Sequence, residues 1–304
     1  MYIDQANKGK NELWRFLITS LQVTGLFIAN FIMYFFVPKE QMSEAYKSMA
    51  KLPKAQVLIT NLLPFVFLLG LLFYLVRFLH KRSILSLTTS RKKIDFHRIA
   101  FSFGLIIVLN LGCFFASYFF AESAIVWNFK PVPFAVLFLI SVVLFPFQIA
   151  LEEYLFRGYF MQQIGFYLKN RWFPLVFTSV LFGLFHSLNP EVEKMGYGVM
   201  IFYIGTGFLL GIMTLMDEGI ELALGFHLGN NLMAALLITS DFSAIQTDAL
   251  FKYSSENDTV NILSEMIVSM LIVYPIILFI FVKKYKWSNW KQKLTGKISN
   301  INGK

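Results

Sequence analysis

AVLFLISVVLFPFQIALEEYLFRGYF, residues 135–160, decides how the chain is to be read. An apolar run beginning near Phe134 ends at Leu151 on two adjacent carboxylates, Glu152 and Glu153, with Arg157 four residues after the second. The run lacks the alternation of a strand and has the length of a membrane-crossing helix. Helical spacing puts Glu153 and Arg157 on one face, close enough to pair. Glu152 then points about 100° away, with no partner nearby in sequence. Charge at that depth in an apolar segment is costly, and its default meaning is function.

The rest of the composition agrees with a membrane setting. Of 304 residues 57% are hydrophobic and only 15% charged, with 35 phenylalanines, and mean hydropathy is +0.61. Soluble domains carry roughly 25% charged residues, so the chain reads as an integral membrane protein. The net charge of +9 suggests no nucleic acid, because the lysines cluster between and after apolar runs, as topology determinants do. Cys113 is the single cysteine, which excludes an intrachain disulfide framework and a cysteine-rich zinc site. The first apolar run, from Trp14, is as long as a full span and lacks a small-residue cleavage site, so it is expected to be a retained helix.

Eight spans are expected, near 14–37, 57–79, 99–120, 133–158, 172–188, 196–216, 219–239 and 262–282. All look helical, giving an all-α polytopic transmembrane bundle with no soluble domain. Three regions follow. Residues 1–132 hold three N-terminal helices and a basic loop, 133–239 a four-helix core, and 240–304 a loop, the last helix and a basic tail. Lys81, Arg82, Arg91, Lys92, Lys93 and Arg98 crowd the 80–98 connection, and the tail after Val282 carries seven lysines and no acid. Both are expected in the cytoplasm, with both termini there too. The 38–56 loop, with four lysines, fits this least well. Trp287 and Trp290 among the tail lysines suit a segment lying on an anionic membrane surface, or a merely solvated one. A bacterial inner membrane fits the compact architecture.

Four histidines are present. His80 and His97 flank the basic loop and read as surface residues. His186, in LFGLFHSLNP, and His227, in LALGFHLGNN, sit inside apolar segments, with Phe182 one turn before the first and Asn231 one turn after the second. Buried imidazoles and amides need partners and should face a bundle interior. Two imidazoles, a carboxylate and an amide are what water-activating hydrolysis requires. Gly183, Gly225 and Gly229 flank the histidines, and Gly207 and Gly211 make a GxxxG, so close helix packing is expected. Asp217 and Glu218 read as a short cytoplasmic turn, Glu221 as an interfacial acid, and Asn230 as a hydrogen bond to a neighbouring helix.

Glu152-Glu153-x-x-x-Arg157, Phe182-x-x-x-His186 and His227-x-x-x-Asn231, in that order across 133–239, resemble the signatures of the CPBP intramembrane proteases. That family includes CAAX prenyl endopeptidases and bacterial proteins linked to bacteriocin processing or immunity. The resemblance implies an endopeptidase acting at the membrane on a CAAX-like C-terminus or a leader peptide. It implies Glu152 as the general base activating water, with His227 helping to hold that water. His186 and Asn231 would stabilise the oxyanion, and Glu153 and Arg157 would be a supporting ion pair, with Glu153 also able to share the acid's role. Family members have been described as metalloproteases and as metal-free glutamate proteases. Glu152, His186 and His227 could hold zinc or bind water directly, and Asn231, a poor zinc ligand and a good oxyanion donor, tilts the balance to the metal-free form. A non-catalytic immunity or regulatory protein of the same fold is the alternative; a proton-coupled transporter fits less well, since no paired broken helices appear. Glu152 should lie about 28 Å along its helix and His186 about 20 Å up its own, a mismatch that a kink at Pro146 or a longer fourth helix would remove. The site residues are expected to line one polar cavity open to the cytoplasmic half.

Overall fold

A computed structural model describes residues 1–38, 51–120, 125–240, 243–253 and 259–298, with isolated positions between 38 and 51. Much of the stretch between 38 and 51, part of the 240–261 spacer and the tail after 298 lie outside the described residues. The main helices are α1 (Leu13–Phe36), α2 (Lys54–Tyr74), α3 (Phe96–Phe120), α4 (Pro131–Glu153), α5 (Trp172–Leu184), α6 (Met200–Asp217), α7 (Glu221–Leu236) and α8 (Thr259–Tyr285). The polytopic helical bundle expected from composition is what forms.

Among the described residues six helical stretches are long and apolar enough to cross a membrane. The expected fifth and seventh spans are shorter, 13 and 16 residues. The fifth stops at Leu184 because the chain turns through Phe185–Asn189, placing His186 just beyond the helix. Outward faces carry large apolar side chains, Phe36 82% and Phe67 69% exposed among them, as a lipid-facing surface should. Over half of the apolar window of α6 is buried, against 17–28% for the other five stretches, so α6 is the central element.

The fourth span is longer than expected. α4 runs on through a π-helical segment, Tyr154–Phe160, and a further α-helical piece, Met161–Leu168, making one stretch of 38 residues. Glu152 therefore sits near the middle of a helix about 57 Å long. This resolves the expected mismatch with His186 by extension of the helix.

Close approach of backbones fixes the neighbours. A Cβ on Gly225 would lie 2.1 Å from the Ile99 carbonyl oxygen, so α7 packs directly on α3. A Cβ on Gly207 would lie 2.6 Å from the Ser179 carbonyl, so α6 packs likewise on α5. Larger residues would push these pairs apart.

The two ends differ. At one end gather the N-terminal turn (Ile3–Lys8), the 80–98 loop, the 217–221 turn and the tail. Ser90 N–H donates to the Glu218 carbonyl and Ile220 N–H to the Thr88 carbonyl, tying the loop to the turn. Within the tail Trp287 is buried and donates its indole N–H to Asp217 Oδ1 at 3.1 Å, whereas the short helix that follows, Trp290–Thr295, has no buried residue. At the other end a small sheet, unforeseen from sequence, links the loops. Ile125–Trp127 pairs antiparallel with Phe251–Tyr253, which pairs in parallel with Ile238–Thr239.

Candidate active site

Glu152 and Glu153 close α4 at the start of the π-helical segment, and both are buried, Glu153 completely. A π turn takes an extra residue and often marks function. Here it leaves the Glu153–Arg157 pair intact, Oε1 to Nη1 at 2.9 Å. Arg157 is also fully buried. Its Nη2 donates to the Gly207 carbonyl at 3.3 Å, and its guanidinium lies 4.4 Å over the Phe182 ring. Phe182 thereby joins three elements, since its ring also meets His186 and, edge-on, His227.

His227 comes in from α7, whose backbone contact with α3 fixes its depth. Its Nδ1 bonds Glu153 Oε1 at 2.8 Å, and its Nε2 lies 3.6 Å from Glu152 Oε2. A carboxylate only accepts, so His227 Nδ1 donates to Glu153 and Nε2 is the ring atom turned toward Glu152. Arg157, Glu153 and His227 thus form a chain that orients the ring. Glu152 Oε1 accepts from Gln148 Nε2 at 3.0 Å, while Oε2 has no hydrogen-bond partner in the protein. Gln148 was missed from sequence, although its position one turn before Glu152 is a signal that could have found it.

His186 stacks on Tyr203 at 4.5 Å, and its Nδ1 donates to the Phe182 carbonyl at 2.7 Å. Nε2 is left for the cavity. Asn189 Nδ2 donates to the Tyr203 hydroxyl at 3.1 Å, steadying the stack. Asn230 bonds Asn110 across to α3 at 3.3 Å, as expected.

Glu152, His186 and Asn231 line one cavity of about 770 Å³, together with Gln148, Glu191 and Glu265. His227 stands behind Glu152 against its wall. The expected opening toward the basic end is not found. The cavity reaches the sheet-bearing end, through Thr239, Ser243 and Tyr253. No described residue of the 80–98 loop or the 217–221 turn lines it. The reason is the packing at the basic end, where the tied loop, turn and N-terminal segment close the bundle.

Among the described residues no three His, Cys, Asp or Glu side chains converge as a metal-holding group. The Nδ1 atoms of His186 and His227 are bonded to Phe182 and Glu153, which leaves the two Nε2 atoms as the imidazole groups open to a ligand.

The other histidine expectations divide. His97 is exposed, but His80 is buried: its Nδ1 donates to the Lys10 carbonyl at 2.8 Å, and its Nε2 faces the hydroxyls of Thr19 and Tyr159 at 3.1 and 3.0 Å. The short turn expected at Asp217 and Glu218 forms, but Asp217 and Glu221 are not exposed on it. Both are buried, and Arg91 Nη2 meets Asp217 at 3.0 Å and Glu221 at 2.9 Å. Arg98 pairs with Asp217 as well.

A helical bundle with six apolar stretches among the described residues and a Glu–His–Asn cavity between its helices defines a class, the polytopic helical membrane proteins with a polar interior site. Residues 131–233 are similar to the family described as type II CAAX prenyl endopeptidase Rce1-like. An uncharacterized Bacillus subtilis (strain 168) protein, YyaK, is 27% identical over 240 residues, covering 76% of this chain and 80% of the relative. No solved structure matches the chain.

Proposed function

We propose that this integral membrane protein is an intramembrane endopeptidase that hydrolyses a peptide bond with water activated by Glu152. The observation that carries the reading is Glu152 Oε2, buried at the cavity wall, without a hydrogen bond and 3.6 Å from His227 Nε2. With the imidazole neutral, two acceptors side by side bind one water through both of its hydrogens and leave its oxygen pointing outward. The water oxygen attacks the scissile carbonyl carbon and Glu152 takes one proton. The tetrahedral oxyanion collapses, the C–N bond breaks, and the proton passes from Glu152 to the leaving nitrogen, giving a carboxylic acid, which keeps the water's second proton, and an amine. Asn231 donates to the oxyanion without any change of protonation. His186 can join it only as an imidazolium, because its Nδ1–H is already given to the Phe182 carbonyl. Glu153 and Arg157 act by holding His227.

The lysines and arginines of the basic end support a cytoplasmic position for it in a bacterial inner membrane, and with that orientation the cavity mouth faces the extracytoplasmic side. A polypeptide segment already exported or held in the outer half of the bilayer then becomes the substrate, in preference to a cytoplasmic C-terminus.

Cleavage of membrane peptides by the purified protein, beside Glu152→Gln and His227→Ala, tests the chemistry. Glu152→Gln should lower turnover by about 10²–10⁴ with the thermal midpoint preserved. Equal cleavage by wild type and both variants sinks the assignment, and a cellular phenotype that survives both substitutions supports the non-catalytic alternative.

A further inference from the structure

We propose that the cavity selects a peptide carrying a positive charge beside the scissile bond and rejects one that ends there in a free carboxylate, an inference that rests on the endopeptidase reading of the same site. Three carboxylates line the cavity from three elements: Glu152 on α4, Glu191 on the short helix Pro190–Met195, and Glu265 on α8. No lysine or arginine lines it among the described residues. Glu152 is 8% exposed with Oε2 unpartnered. Glu191 accepts the Ala244 N–H at 2.8 Å through Oε1, and its Oε2 is also unpartnered. Glu265 accepts from Ser117 Oγ at 3.2 Å.

The nearest buried cation, Arg157, is turned away behind Glu153, which matches its charge. The remaining polar lining is amide, hydroxyl and one imidazole, groups without permanent charge. Elsewhere in the same protein buried carboxylates are matched by arginines, as at Asp217 and Glu221. The cavity is therefore a low-dielectric space whose field has one sign, which concentrates cations and repels anions. Burial pushes the Glu191 carboxyl up from its ordinary value, and an arriving ammonium or guanidinium would favour its ionised form. A peptide whose scissile bond lies a few residues from a free C-terminus brings a carboxylate into that field with no cation to receive it.

The test uses full-length protein in neutral detergent and dansyl-labelled, C-terminally amidated Leu/Ala peptides that differ only in a central Lys or Glu. A third peptide keeps the central Lys and ends in a free carboxylate. Binding is read by fluorescence for wild type and for the Glu191→Gln/Glu265→Gln double variant. The Lys amide should bind at least about tenfold tighter than the Glu peptide, the free carboxylate should weaken it, and the Lys preference should narrow in the double variant. Equal affinities, or a preference unchanged in the double variant, overturn the proposal. If the double variant does not fold, the wild-type preference must shrink as ionic strength rises, and a salt-independent preference overturns it. The two readings fail separately. A Lys peptide bound selectively yet never cleaved leaves charge selection standing and removes the endopeptidase, whereas cleavage without charge preference does the reverse.

Discussion

Two buried pairs of carboxylates, some 65 residues apart in sequence, have been given opposite environments. Asp217 and Glu221 at the basic end share two arginines, Arg91 and Arg98, and none of their side-chain oxygens lacks a hydrogen-bond partner. Glu152 and Glu153 in mid-bundle share one arginine and one histidine, and each keeps an Oε2 without a partner. Burial of charge is common to both, so burial alone does not identify a site. Incomplete pairing beside a cavity does, because an unmatched acceptor there is available to water or substrate.

The contrast is broken or sharpened by substitutions on each side. The largest effect belongs to Arg157→Met, which leaves Glu153 buried with only His227 beside it. Loss of about 3–5 kcal/mol is expected, read as a lowered thermal midpoint in detergent, together with lost turnover as His227 loses its support. A stable, active Arg157→Met protein would show that the chain from Arg157 to His227 does not hold the site. Asp217→Asn should be milder. Arg91 keeps Glu221, and Arg98 keeps Asp95 at 3.1 Å, so a loss of about 1–3 kcal/mol is expected, with turnover per folded molecule unchanged. A fall in turnover as large as that of Arg157→Met would erase the distinction between the clusters.

The smallest effect is a pH dependence at the basic end. Burial, aided by Arg82 and Arg15, lowers the His80 pKa below its ordinary value. The folded state therefore takes up a proton less readily than the unfolded chain. This stabilisation is present above the unperturbed value of about 6.5 and is lost as pH falls through the lower, folded value. Melting curves between pH 7.5 and 5 should show a drop that shrinks in His80→Gln; an equal drop in both proteins assigns the effect to other groups.

Much of this was legible beforehand because helical spacing is local. Glu153 and Arg157 had to pair, and Glu152 had to point elsewhere. The bundle follows from apolar runs that only a bilayer accommodates. What escaped reading was long-range. Asp217 and Glu221 looked exposed because their arginines lie about 120 residues earlier. His80 looked exposed because lysine and arginine follow it, whereas the groups that bury it, Thr19 and Tyr159, come from α1 and the π-helical segment. The cavity mouth was assigned to the wrong end because the sequence does not reveal that the N-terminal turn and the 80–98 loop seal the other. Glu191 and Glu265 carried no motif. Only convergence of their separate helices on one space gives them a common role.

The segment Tyr154–Phe160 adds a residue to one turn of an otherwise continuous rod. A rod with a phase slip is two gears on one shaft: the half bearing Glu152 and the half ending at Leu168 face their neighbours at angles set independently. Winding the same residues as regular α-helix would instead rotate one half against the other by about 100°. The site could then stay in register only if the sealed basic end came apart.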